Sequence, residues 1–422
     1  MLCLSSLLSV CLAWSQVVNP VASSLSPFSH RGFRHYLIAQ TCSSLGFQIV
    51  SLAVSWQIYA MTHSAFMLGM IGLMQFLPSI LLALPAGHLA DQYNRKTLIV
   101  TGQVIEFLAV AGLIALPFFS WLSTPALLGL VALFWIAKAV EGPANTSLLP
   151  ALLPAELLSK AMATNQVFRE AMVIAGPMIG GLLYLYSPEA AYGVAAICYF
   201  VALLMIATVH YPPVALTRLP MTMKNLFAGL HFIFERKDIL GVISLDLFAV
   251  LLGGVTALLP IFAQDILHTG PWGLGALRAA PSVGALLTGI WISRRVLTRH
   301  TGLIMFGCVA GFGVATLVFA LSHNLVLSLL ALVALGGFDM VSMVIRGAMV
   351  QLDTPDAMRG RVNAVNSIFI NTSNQFGEFE TGVLASMLGT VPAAVVGGVG
   401  TLVVVAIWMK LFPSLRQRQQ LT

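Results

Sequence analysis

From residue 35 onward the chain is divided into twelve apolar stretches separated by short polar turns, each stretch long enough to cross the hydrocarbon core of a bilayer. Hydropathy, read with its polar and proline breaks, places them near 35–61, 65–90, 97–120, 124–150, 160–186, 188–210, 238–266, 271–293, 301–322, 324–350, 359–386 and 390–412. Only 9% of the residues are charged and 58% are hydrophobic, whereas a soluble domain carries roughly 25% charge. Little chain is left outside the stretches. The expected fold is an all-α polytopic membrane protein, and whatever it does is expected to be done within the lipid bilayer.

The turns alternate in charge. "MTHS", "FFSWLSTP", "YSPEA", "LHTGP", "SHN" and "GTVP" hold no lysine or arginine. The bases gather in the other set: Arg31 and Arg34, Arg95 and Lys96, Lys160, Arg218 and Lys224, Arg236 and Lys237, Arg294, Arg295 and Arg299, Arg359 and Arg361, and Lys410, Arg416 and Arg418. Because lysine and arginine bias short loops toward the cytoplasm, both termini are expected inside, and an odd number of spans would scramble the alternation. The connection 211–237 contains "MKNLFAGLHFIFERK", either an amphipathic helix on the inner surface or a plain linker. Within residues 1–30, "LCLSSLLSVCLAW" lacks the leading basic residues of a secretory signal, so a flexible extension is expected there.

An internal repeat relates the two halves at an offset of 201 residues. "PAELLSKAMATNQ" at 154–166 lies over "PDAMRGRVNAVNS" at 355–367, and Gly176 and Gly181 lie over Gly377 and Gly382. Two pseudo-symmetric six-helix bundles are therefore expected, at 31–210 and 238–412, joined by 211–237 and followed by a tail at 413–422.

The same offset relates charged residues inside the spans. Lys138, Glu141 and Asn145 follow i, i+3, i+7 spacing on one face of the fourth span, and Asp339, Ser342 and Arg346 repeat that spacing in the tenth. Charge at mid-bilayer costs about 2.5–3.5 kcal/mol per group on insertion scales, so such stripes are expected to face protein or water. Lys138 and Glu141 are close enough either to neutralise each other or to serve a cavity. Asp339 and Arg346 are two turns, roughly 10 Å, apart, which reads as too far for a direct pair. The eleventh span carries Asn363, Ser367, Asn371, Asn374 and Glu378 on one face, with Glu380 turned about 200° away from Glu378. Gln40, Ser44, Gln48, Ser51 and Ser55 line one side of the first span, while Glu106, Asp246 and Arg278 stand alone in the third, seventh and eighth, open to structural or functional roles.

Other chemistry finds no support. The five cysteines are scattered without CxxC spacing, and the nine histidines form no HxxxH or HExxH pattern, so neither metal nor cofactor is expected. No Ser/His/Asp constellation or phosphate-cradling loop is present, so the chain is not expected to be an enzyme or to bind nucleic acid.

One turn is distinctive. "GHLADQYNRK" at 87–96 packs charge between two apolar spans. A glycine there lets helices approach closely, a carboxylate can meet a helix N-terminus, and two bases anchor the turn. It resembles the G-x-L-a-D-r-x-x-R-K turn between the second and third spans of the major facilitator superfamily, with Gly87, Leu89, Asp91, Arg95 and Lys96 in place; Gln92 and Asn94 depart from the pattern. The resemblance implies that Asp91 helps latch the bundles in the outward-open state. In the second half Ser293 stands where that aspartate would fall. "KAVEG" at 138–142 is similar to the superfamily's fourth-span motif, with lysine for arginine, and implies proton coupling at Lys138. "GPMIGG" resembles its antiporter motif through Gly176, Pro177, Gly180 and Gly181, which implies close packing on the eighth span.

From about residue 30 on, the organisation is similar to the branch containing enterobactin exporters and macrolide efflux proteins, notably in "THSAFMLGMIGLMQFLPSILLALPAGHLAD" and "TPDAMRGRVNAVN". It implies proton-coupled export, by a single chain in a bacterial inner membrane, of a siderophore or an amphipathic drug-like compound. An importer of a nutrient or iron chelate, and a transporter-derived sensor or scaffold, are the alternatives. Glu141, Asp339 and Glu378 are the expected proton carriers.

Overall fold

A computed structural model describes residues 26–119, 123–210, 223–294 and 300–420, apart from the side chains of 84, 91, 223–226 and 357. Most of the expected extension at 1–30, together with Arg218, Arg295, Arg299 and the side chain of Lys224, lies outside the described residues. The described chain is helical: α1 (Arg31–Thr62), α2 (Ala65–Gln92), α3 (Arg95–Phe118), α4 (Thr124–Leu148), α5 (Ala155–Tyr186), α6 (Pro188–Ala207), α7 (Met223–Glu235), α8 (Lys237–Gly253), α9 (Gly270–Ser293), α10 (Thr301–Leu321), α11 (Leu325–Asp353), α12 (Asp356–Leu388), α13 (Thr390–Leu411) and α14 (Pro413–Gln417). Eleven spans are long and apolar enough to cross a membrane. The remaining long helix, α12, has the length at 33 residues but carries the asparagine and glutamate stripe that lowers its hydropathy.

The repeat is visible in the backbone. α4 and α11 begin 201 residues apart, as do α5 and α12. The prolines ahead of the latter pair, Pro154 and Pro355, hold nearly the same extended conformation (φ −57°, ψ 152° and φ −56°, ψ 147°), which stops the preceding chain and starts the next helix. One span is not continuous. Beyond Gly253 the seventh passes through 3-10 (Thr256–Leu258), α (Leu259–Ile261) and π (Phe262–Ile266) turns. Pro260 lacks the amide hydrogen that a regular ladder needs at that point, and Gly253 and Gly254 precede it.

How the bundles meet follows from their cores. Far from the termini they share one apolar core, in which Ile58 and Tyr59 of α1 join Phe262, Leu274 and Phe319 of the second half. Near the termini the cores are separate: one is built from Phe33, Ile99, Leu148 and Ile206, the other from Ile239, Phe306, Ile345 and Val405. The molecule is thus sealed at its distal end and split at the end carrying the termini. In a bilayer, helix contacts rest on close van der Waals packing between small residues. The seal shows this: a Cβ on Gly382 of α12 would lie 2.5 Å from the Cα of Gly69 of α2, and one on Gly181 of α5 would collide with the carbonyl of Pro271 in α9. Tyr59 donates to Asp265 across the same end.

The tail beyond α13 is built into the second bundle. Arg418 donates from both terminal nitrogens to Asp353 at the end of α11 (2.5 and 2.8 Å), and its carbonyl accepts from Gly302 of α10 at 3.1 Å. The adjoining carboxylate holds the guanidinium above its ordinary value. A bidentate pair outweighs an isolated surface pair. Arg418→Ala should therefore cost about 1–2 kcal/mol, read as a lower unfolding midpoint of the detergent-solubilised protein.

Candidate functional site

The polar stripe of α4 does not open into a shared central space. Lys138 Nζ lies 3.1 Å from Glu106 of α3 and 3.8 Å from Glu141, and donates to Ser43 of α1 at 3.0 Å. Asn145 donates to Glu141 at 2.7 Å, and Gln40 of α1 donates to Asn145 at 2.6 Å. Gly102 of α3 makes room for the acid, since a Cβ there would sit 3.2 Å from Glu141 Cβ. Glu106 and Glu141 are 0% and 1% exposed, and neither oxygen of Glu106 accepts a hydrogen bond among the described residues. The lone acid of the third span is therefore the partner of Lys138.

The second bundle carries a counterpart with the order reversed. Arg346 of α11 pairs with Asp246 of α8 and also reaches Asp339 at 3.4 Å. The expectation that Asp339 and Arg346 are too far apart to pair is corrected: the rise between their backbones is real, but an extended arginine spans it. The Asp339 side chain is 44% exposed, whereas Arg346 is 10% exposed. Asn371 and Asn374 of α12 are exposed. Asn374 donates to the Ile370 carbonyl of its own helix at 2.8 Å.

Where the bundles meet, a cavity of about 220 Å³ is walled by α1, α2, α5, the break after α8, α9 and α12. Its polar lining is Gln48, Ser51, Ser55, Gln75, Thr256, Arg278 and Glu378, beside Phe47, Leu68 and Ile71. The first-span stripe is thus divided: Gln40 serves the α4 cluster, and Gln48, Ser51 and Ser55 serve the cavity. Arg278 crosses between bundles, donating to Ser51 at 2.9 Å and Ser55 at 3.0 Å. Of the residues expected to face a cavity, Glu378 is on this wall; Lys138, Glu141, Asn145, Asp339, Arg346, Asn371 and Asn374 are not. Arg278 was not singled out by spacing. The available signal was a lone arginine in an apolar span opposite a serine stripe on another helix.

In the 87–96 turn, a Cβ on Gly87 would meet nothing within 4 Å. The expected close helix approach at this glycine is therefore absent, because the bundles are apart at this end. Arg95 is not a free cytoplasmic anchor either: it is 5% exposed and donates to the Ser147 carbonyl at the end of α4, 3.0 Å away, where a cation meets the negative end of the helix dipole. Lys96 takes its place in the first turn of α3, its amide capped by Asn94 at 3.0 Å. The side chain of Asp91 lies outside the described residues. In α5, Gly176 and Gly180 face Gln48 and Ile49 of α1, whereas Gly181 and Pro177 meet Pro271 and Gly275 of α9. The glycine motif thus packs two ways, within its own bundle and across the seal.

Residues 22–420 match the transmembrane secretion effector family. The chain is 27% identical over 396 residues to the enterobactin exporter EntS of Shigella boydii serotype 4, covering 93% of this chain and 94% of that one, and equally to EntS of Escherichia coli O81. Its fold is similar to the nucleoside transporter NupG (TM-score 0.71, 12% identity, 90% of this chain and 99% of that one). It is also similar to a bacterial homologue of the iron transporter ferroportin in an inward-facing state (TM-score 0.67, 17% identity, 92% and 99%). Eleven apolar spans and the polar-striped α12 among the described residues, in two related bundles, a polar cavity between them and these likenesses agree: the chain is a multi-pass membrane transporter, not an enzyme, and it belongs to the transmembrane secretion effector family of the major facilitator superfamily.

Proposed function

We propose that this transporter is a proton-coupled exporter of a siderophore or an amphipathic drug-like compound, working by alternating access in a bacterial inner membrane with both termini in the cytoplasm. The observation that carries the reading is the combination of a central polar cavity with a seal at one end only. With the termini inside, the present state faces the cytoplasm, where an exporter loads. The bodies that rock are 31–210 and 238–412, with 211–237 as their connection; the resemblance of 87–96 gives Asp91 the latch of the opposite state.

Coupling is carried by the charge clusters inside the spans. Each holds two carboxylates against one cation: Glu106 and Glu141 with Lys138, Asp246 and Asp339 with Arg346. A net charge in a low-dielectric interior is costly, and binding one proton neutralises each cluster. A proton taken up from outside and released inside then drives substrate outward, provided the two occupants prefer different states. The relatives named for enterobactin export favour the outward direction and a siderophore-sized cargo.

The test is transport in everted membrane vesicles under an imposed pH gradient. The parent protein should accumulate substrate, while Glu141→Gln and Asp339→Asn should abolish gradient-driven accumulation at unchanged membrane abundance. Full-rate export by both amides would overturn the proton assignment; loss of substrate from energised vesicles would make the chain an importer.

A further inference from the structure

Arg278 and Glu378 line the central cavity from α9 and α12, close enough to feel each other's charge but, among the described residues, not in direct contact as an ion pair. The guanidinium belongs to the second bundle, yet it is held by the first. Its two terminal nitrogens donate to Ser51 and Ser55, one turn apart on α1, and its Nε is buried with no partner. Two hydroxyl oxygens on one fork occupy the positions that two neighbouring oxygens of a bound molecule would take. Glu378 makes no hydrogen bond or ion pair among the described residues.

Arginine only donates hydrogen bonds and an ionised carboxylate only accepts them. A molecule that satisfies both at once must carry an acceptor oxygen beside a donor hydrogen. The fork already accepts hydroxyls as partners, and Phe47, Leu68 and Ile71 supply an apolar wall. We infer that Arg278 and Glu378 together recognise a hydroxylated, partly apolar ligand group of no net charge, which takes Arg278 away from Ser51 and Ser55 as it binds. This inference rests on the transport reading and names the chemistry of its cargo.

Two consequences follow from the geometry. The bonds that the ligand replaces tie one bundle to the other beside the distal seal, so occupancy loosens the contact that must break for the cavity to open outward. A proton on Glu378 turns its charged acceptor into a neutral, weaker one and adds a donor, so protonation and ligand binding oppose each other at one carboxylate. Arg278 is the charged group facing Glu378 across the cavity. α2 presents Gln75, α1 presents Gln48 and the α8 break presents Thr256, all uncharged. Asp246 of α8 and Asp339 of α11 are held by Arg346, away from this wall, and Glu380 on α12 itself is turned off the Glu378 face.

The experiment is a ligand-binding titration by saturation-transfer NMR on the full-length protein in lipid nanodiscs. The probes are benzene-1,2-diol, 1,2-dimethoxybenzene, which lacks the donors, and benzoate, which is anionic. The diol should bind at least about tenfold tighter than either comparison probe, a loss typical of one unpaired charged hydrogen bond. Its affinity should fall as the pH is lowered, by at most about tenfold per unit for one competing proton, and Glu378→Gln should abolish that dependence. Arg278→Ala should lower affinity at least about tenfold. Ser51→Ala/Ser55→Ala, which keeps both charges and removes the competing hydroxyls, should bind the diol several-fold tighter, a gain that no misfolded protein can produce. Equal binding of diol and dimethoxy probe, a pH-independent parent affinity, or no gain in the serine variant would overturn the inference. If the binding pattern fails while everted vesicles still export against a pH gradient, only this inference falls; if the pattern holds and export fails, the transport reading falls.

Discussion

Lys138→Met should destabilise the protein by about 3–5 kcal/mol, the range for stripping one partner from a buried ion pair. The reason is local. Glu106 and Glu141 are essentially inaccessible, and Lys138 is the cation within 4 Å of both. Without it two carboxylates remain among apolar helices, and the hydrogen bonds that Asn145 and Gln103 offer reach Glu141, not Glu106. Adding Glu106→Gln should therefore restore most of the loss, because the acid that survives is the one with amide donors. The measurement is the unfolding midpoint of parent, single and double variants in one detergent. A Lys138→Met protein as stable as the parent would mean that water reaches the cluster; a double variant no better than the single would mean that Glu106 is not the stranded charge.

That cluster also shows where sequence reading stops. The stripe of Lys138, Glu141 and Asn145 was legible because helical spacing places residues on a face. Its completion by Glu106 was not, because nothing in the order of residues says that α3 packs on that face at that height. The same holds for Asp246 with Arg346, and for Arg278 with Ser51 and Ser55: each pair joins helices far apart in the chain. The twelve spans were legible from the lengths of the apolar runs and the alternation of basic turns, including 359–386 despite the polar stripe that lowers the hydropathy of α12. The seventh span read as one helix from 238 to 266, whereas Gly253, Gly254 and Pro260 carried the signal for its unwinding. Distance was misjudged for Asp339 and Arg346 by counting backbone rise without the arginine's reach. At Gly87 a Cβ would meet nothing within 4 Å, and the order of residues does not say in which arrangement of the bundles a given contact is made.

Gly181→Val combined with Gly382→Val should turn the molecule from sealed to open at its distal end. Both glycines sit where backbones of different bundles touch, Gly181 on the Pro271 carbonyl and Gly382 on Gly69. Neither neighbour is a flexible side chain, so the added methyls cannot be accommodated by a rotamer change. Overpacking costs about 1–3 kcal/mol per site, and the two sites lie on separate helix pairs, α5 with α9 and α2 with α12, so their costs should add. The combined shift is about 2–6 kcal/mol, and its upper end is enough to invert a two-state population from about 99:1 to 1:99. The direct readout is a cysteine placed at the cavity residue Gln75 in a background without native cysteines, challenged from the side opposite the termini with a membrane-impermeant thiol reagent. Its modification should be slow in the parent background and fast when both valines are present. Gly87→Val provides the contrast, because it adds the same bulk at the other end of α2, into space that is open in this state. It should not raise the distal reaction rate. If it does so as strongly as the seam variants, bulk anywhere in α2 loosens the bundles, and the glycine contacts are not what holds the distal end shut.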